Sequence, residues 1–356
     1  MLHGYEVYTI TLGMVKNCLV VLVFWLIGCR LAAQVGVSRL VPAGLATDQL
    51  LVSLDSLFAG KSYQPVAGLS IQLMNFYPLD KERYWVTVGC MDSGAVKKVF
   101  SFVARYENGH YSFASPLAWL TRDWQTKVVG RITYHYSLRI DTARARAFDR
   151  KNETIAKKLG LVPENLHFYL TDNYQQIQAL LGHDYDAESA GDYRNGSWVG
   201  DSIFAVMHNE DYSHDLVHGY VLKIRTNTRN ATAEEGLAYY WGNAYYTDPA
   251  GNMIDLPEMA AALKVFLTVH PDSSASSLFR NNSKVFPGLA PEVSARSVIS
   301  ALFFREVEKT KGIAGVRTFI NCGKGDDRYF SVLDGLTGID RENFDEKVKG
   351  LLEIGN

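Results

Sequence analysis

Short strand-like runs fill the first third of the chain and helical periodicity the last, and this change of period is what most constrains the fold. Up to about residue 120 the apolar side chains come in brief runs: Tyr84-Trp85-Val86-Thr87-Val88, residues 98–104, and Tyr111-Ser112-Phe113. Asp92-Ser93-Gly94 and Asn108-Gly109 part them as turns, since Asn, Asp and Gly tolerate the positive φ of a tight hairpin. From Pro257 onward, residues 257–269, 291–311, 314–320 and 344–352 repeat apolar side chains at helical spacing. Pro257 and Pro291 suit a first helical position, where no backbone donor is needed. In between, the pattern predicts helices over 142–159 and 174–181 and strands over 166–170 and 202–206. The expected class is α+β, with a β-rich module over 34–120, a mixed core over 121–256 and a helical region over 257–356. At 47% apolar and 21% charged, the 356 residues can bury a substantial core.

Residues 1–33 read as an export signal. Lys16 precedes the apolar run from Asn17 to Gly28, which falls short of the roughly 20 residues a bilayer core requires and matches a signal peptide. Leu31-Ala32-Ala33 before Gln34 suits ordinary signal cleavage and is the favoured site. Leu26-Ile27-Gly28-Cys29 is similar to a lipobox, and a lipid anchor at Cys29 is the one membrane attachment expected. An ordinary cut leaves Cys90 and Cys322, too few thiols for a Cys-rich zinc site. One disulfide and two separate thiols both stay open. Sequons at Asn152, Asn195, Asn230 and Asn281 matter only in a eukaryotic secretory host. With 36 basic against 38 acidic residues the chain has no field for a polyanion, so nucleic acid is not an expected partner.

The string His214-Asp215-Leu216-Val217-His218 sets two imidazoles four residues apart. On a helix they share one face and can grip a single metal ion, while Leu216 and Val217 turn toward the core. With 9 His and 38 acidic residues in 356, chance supplies a His-acid-x-x-His string roughly 0.02 times per chain. A second helix starts at Thr232-Ala233-Glu234-Glu235-Gly236-Leu237-Ala238. A carboxylate from Glu235 can return to the imidazoles, giving His214, His218 and Glu235 as ligands and leaving a fourth position for water. Thr232-x-x-Glu235 is equally a capping box, in which Glu235 merely starts its helix. The sequence leaves both readings open, and Glu234 is the neighbouring candidate ligand.

In these residues the chain resembles the gluzincin metallopeptidases, whose active-site helix reads His-Glu-x-x-His and whose third ligand lies in a downstream Glu-Gly-x-Ala segment. The matching positions are His214, His218 and Glu235-Gly236-Leu237-Ala238. It is most similar to the peptidase-MA-like group of exported bacterial proteins, over roughly residues 134–356. The resemblance implies a zincin-like mixed α/β core with an active-site helix, Zn2+ held by His214, His218 and Glu235, and a peptide or protein substrate cut by metal-activated water. It also implies a periplasmic, cell-surface or extracellular place. One position departs from the family: Asp215 stands where the base is Glu. Aspartate is shorter by about 1.5 Å, and a misplacement of about 1 Å costs on the order of a hundredfold in rate. Asp215 is therefore expected to accept the proton at reduced efficiency. The alternative is a catalytically inactive gluzincin-like protein that binds a peptide or protein partner. An exposed edge of strand 202–206 would hold an extended peptide by strand addition. Tyr239, Tyr240, Tyr245 and Tyr246 are candidate oxyanion donors but read more simply as packing, and His208 and His270 read as structural.

Overall fold

The computed structural model describes Leu50, Leu54 and residues 69–188, 196–206, 209–244 and 253–353. The export segment, the cleavage readings at Gln34 and Cys29, and His208, Tyr245 and Tyr246 lie outside the described residues. The architecture is α+β, with two five-stranded sheets and a helical C-terminal region. The described residues form two compact units: residues 69–119 with 179–188, and residues 120–178 with those from 196 onward. Among the described residues no helix is long and apolar enough to cross a membrane.

The first unit is an antiparallel sheet in the order β1 (Ser70–Pro78), β2 (Arg83–Asp92), β3 (Ala95–Glu107) and β4 (His110–Ala114). Both predicted turns form, with Ser93 and Gly94 at φ 49° and 82° and Asn108 and Gly109 at 53° and 84°. After a four-residue helix, α1 (Leu117–Leu120), the chain leaves this unit; it returns as β8 (His183–Asp186), which pairs antiparallel with β3. Val86, Val88, Phe100, Phe102 and Tyr111 fill its core with Leu50 and Leu54. Cys90 is a free thiol buried there, and burial pushes its pKa up to about 11.

The second unit is built on the sheet β5-β6-β7-β10-β9. Strands β6 (Ile132–Tyr136), β7 (Leu166–Thr171) and β10 (Ser202–Val206) run parallel, flanked by antiparallel β5 (Gln125–Val129) and β9 (Gly196–Val199). The crossover between β6 and β7 is α2 (Thr142–Lys158), which Asp141 caps by accepting from the amides of Ala143 and Arg144. Ala145, Phe148 and Ile155 of α2 turn onto the sheet at the spacing the sequence predicts. Next in chain order come α3 (Tyr174–Leu181), α4 (Ser213–Ile224), α5 (Ala231–Trp241), α6 (Leu256–Val269), α7 (Ala275–Arg280), α8 (Ala295–Ile320), α9 (Asp326–Thr337) and α10 (Phe344–Glu353). One apolar core joins the sheet to α2 and to α4 through α10, from Val129 to Leu352. Cys322 is a free thiol in it.

Two expectations need correcting. Strand 202–206 is interior, hydrogen-bonded to β7 on one side and β9 on the other. The edge on that side, among the described strands, is β9, whose register with β10 a reading of local pattern does not reveal. Pro291 does not open a helix: Ser294 is the cap, accepting from the Ser297 amide, and α8 begins at Ala295. Pro257 does lie in the first turn of α6, behind a capping box of Asp255 and Glu258.

Candidate metal centre

Helix α4 carries Leu216, Val217, Tyr220, Val221 and Ile224 into the core, so the opposite stripe, with His214, Asp215 and His218, faces outward. The end of β9 lies against it: a Cβ on Gly219 would stand 2.9 Å from the indole of Trp198. Helix α5 carries Glu235, and its start decides between ligand and cap. Asn230 is the N-cap, with its side chain accepting from the Ala233 amide. Thr232 is instead inside the helix, its hydroxyl accepting from Arg296 Nε at 2.8 Å. The capping-box reading of Thr232 and Glu235 is thus overturned, and Glu235 is turned to the imidazoles.

There, His214 Nε2 lies 3.3 Å from Glu235 Oε2, His218 Nε2 lies 3.5 Å from Glu235 Oε1, and the two Nε2 atoms are 3.3 Å apart. A tetrahedral ion bound at about 2.0–2.1 Å sets its ligand atoms about 3.3–3.4 Å from each other. The two Nε2 atoms meet that spacing, and the Glu235 carboxylate reaches His214 through Oε2 and His218 through Oε1 at a similar range, so the group could hold one ion. Three ligand atoms leave the fourth corner of a tetrahedron for solvent or substrate.

The tautomers support the same arrangement. His214 Nδ1 donates to the Asn243 carbonyl at 3.2 Å and His218 Nδ1 to Glu234 Oε1 at 2.9 Å. Neither acceptor has a proton to give, so both neutral rings turn a bare Nε2 toward Glu235. Three acceptors facing one point need a cation between them, either a proton or a metal ion. Glu234, the neighbouring candidate, is therefore no ligand but the carboxylate that orients His218. It is 4% exposed and ion-paired with Arg225 and, at 3.1 Å, with Arg229.

Charge in the site follows from these contacts. Burial disfavours a charged His214, but the hydrogen bond and charge of Glu235 outweigh it and raise the imidazole above its ordinary range. Glu235 is held below the carboxylate range, because His214 and His218 overcome the effect of its burial. Glu234 is likewise lowered against burial, by His218, Arg229 and Arg225.

The site opens into a cleft of about 840 Å3, whose walls include Asp215, His218, Glu235, Trp198 and Leu222. Asp215 thus lines the same cleft as His218 and Glu235. The tyrosines divide: Tyr239 packs its ring edgewise on His214 at 4.7 Å, and Tyr240 hydrogen-bonds Glu308. His270 ends α6, packed on Phe266. The Glu234 carboxylate, the Asn243 carbonyl and the two arginines complete the candidate site in ways the motif did not reveal, because each acts through a contact that the spacing of histidines does not encode.

No family model matches this chain, and no curated protein matches it.

Proposed function

We propose that this protein is an exported zinc-dependent metallopeptidase that hydrolyses peptide bonds. The observation that carries the proposal is the convergence of His214 Nε2, His218 Nε2 and one Glu235 carboxylate at 3.3–3.5 Å, with both Nδ1 protons engaged elsewhere. Two imidazoles and a carboxylate, with His218 and Glu235 on a cleft, are a donor set suited to zinc with an open position. When bound, zinc acidifies a water and polarises the scissile carbonyl.

The chain's own residues do the rest. Asn243 and Glu234 fix the imidazole tautomers, and Asp215 takes the proton of the attacking water and returns it to the leaving amine. The peptide adds along the edge of β9, whose Trp198, with Gly200 and Asp201 in the turn that follows, lines the cleft. The short reach of Asp215 supports a second reading, a binding protein that keeps the metal and has lost turnover.

Zinc titration combined with digestion of a general peptide library separates the readings. One zinc per chain is expected, with cleavage that His214→Ala abolishes. Zinc without cleavage assigns the chain to peptide binding, and absence of zinc binding by the wild-type protein overturns the metal centre.

A further inference from the structure

His214 is the ligand nearest the start of its helix, and what holds it is spread over two segments. The first is the turn before α4, where the Asp211 carboxylate accepts from the Ser213 amide at 3.1 Å and from the Ser213 hydroxyl. The second is Gly242-Asn243, just past α5, which supplies the carbonyl that receives His214 Nδ1. These segments are pressed together: a Cβ on Gly242 would lie 2.7 Å from the Ser213 carbonyl oxygen and 2.8 Å from His214 Cα.

One ammonium joins them. Lys151, on α2, sits 3.2 Å from Asp211 Oδ2, donates to the Gly242 carbonyl at 3.2 Å and donates to Asn243 Oδ1. Asp211 is 3% exposed, and a buried carboxylate of this kind needs its countercharge. We infer that Lys151 is a positioning residue for the metal centre, tying the helix start that bears His214 to the loop that fixes its tautomer. This rests on the metal-site reading above. Two effects of the ammonium on a bound cation oppose each other. Its charge repels the metal, but Asp211 cancels that charge locally, so its support of the His214 geometry wins. Partners one shell out from a metal ligand typically set affinity by about 10–100-fold. Lys151 stands one contact further, on Asp211, Gly242 and Asn243, so the low end of that range, about tenfold, is expected.

The fold also offers a way to test position apart from stability. Lys151 forms part of the wall of an open pocket of about 470 Å3, with Arg150, Thr154, Ile155, Lys158 and Trp241 among its neighbours. In Lys151→Ala a small alkylammonium can enter from that side and replace the lost group.

The experiment is zinc affinity of the full chain, read by competition with a chromophoric chelator. Lys151→Ala is expected to bind zinc about tenfold more weakly, and propylammonium to restore most of the loss where sodium at equal ionic strength does not. A folded Lys151→Ala that binds zinc within twofold of wild type overturns the inference, as does a loss that propylammonium leaves untouched. Should Lys151→Ala fail to fold, Lys151→Met keeps the apolar stem and is judged by the same affinity criterion. Wild-type protein that binds no zinc overturns both this inference and the metal centre, whereas an unaffected variant beside a zinc-binding wild type overturns the inference alone.

Discussion

At the scale of single residues, the proposed metal centre would be a competition between a proton and a metal for three acceptors. Because Glu235 raises His214 above the ordinary imidazole range, the proton that zinc must displace competes up to a higher pH than on a free imidazole. Glu235 is lowered and stays ionised there, so His214 sets the dependence. Zinc affinity is expected to level off above the raised His214 pKa and to fall by about tenfold per pH unit below it. Chelator competition from pH 6 to 8.5 measures this, and a flat profile would refute the assignment of His214 as a ligand. Asp215 gives the second residue-scale prediction. If its reach limits turnover, Asp215→Glu raises hydrolysis while zinc affinity stays unchanged. Unchanged or lower activity in a folded, zinc-loaded variant rejects that explanation. Residue identity alone could not settle Glu235, since Asn230 and Thr232 are both competent caps. The choice was made by Arg296, 64 positions away, which engages the Thr232 hydroxyl. Two sequons show the same dependence on context: Asn230 is the cap of α5, and Asn152 is buried, donating to the Glu164 carbonyl and accepting from the Glu164 amide and the Tyr220 hydroxyl.

At the scale of elements, what was legible followed from local pattern, and what was not came from pairing. The hairpins of the first unit and helices 142–158, 174–181 and 256–269 formed where periodicity and turn residues put them. The break expected between residues 311 and 314 exists as Gly312 at φ 63° within α8, a conformation that favours glycine. Strands β8 and β9, four residues each, lie in a stretch that reads as polar, and exist through hydrogen bonds to β3 and β10. Gly236 has a role that the Glu-Gly-x-Ala spacing hides: a Cβ there would meet Ser300 Oγ at 2.2 Å, so α5 packs on α8 through a bare backbone. Replacing glycine by alanine inside an exposed helix stabilises by about 1 kcal/mol. Here overpacking should reverse the sign, with Gly236→Ala costing about 1–3 kcal/mol in denaturant unfolding and weakening zinc binding, because α5 carries Glu235. Gly236→Ala with Ser300→Gly should recover part of both losses. A stabilised Gly236→Ala variant would show that the two helices need no such contact.

At the scale of the whole molecule, the candidate ligands belong to one unit although they come from two helices, and that unit depends on residues far along the chain. The core that supports α4 and α5 runs to Leu352, with Val298, Ile299 and Leu302 of α8 fully buried in it. No local pattern announces that residues 179–188 rejoin the first unit, because β8 is specified by its partner and not by its own four residues. Metal binding should therefore be felt unevenly. A ligand that binds the folded state stabilises it by about 2.7 kcal/mol at a hundredfold excess over its dissociation constant. That increment acts on openings that separate α4 from α5, since those release the metal. Hydrogen exchange with and without zinc should slow in 213–224 and 231–241, and in 295–320 where α8 backs α5. Strands 70–78 and 83–107, which hold none of the three ligands, should exchange as before. Equal slowing in both units would mean that zinc acts through a global transition, while no slowing in 213–241 would remove the metal from these two helices.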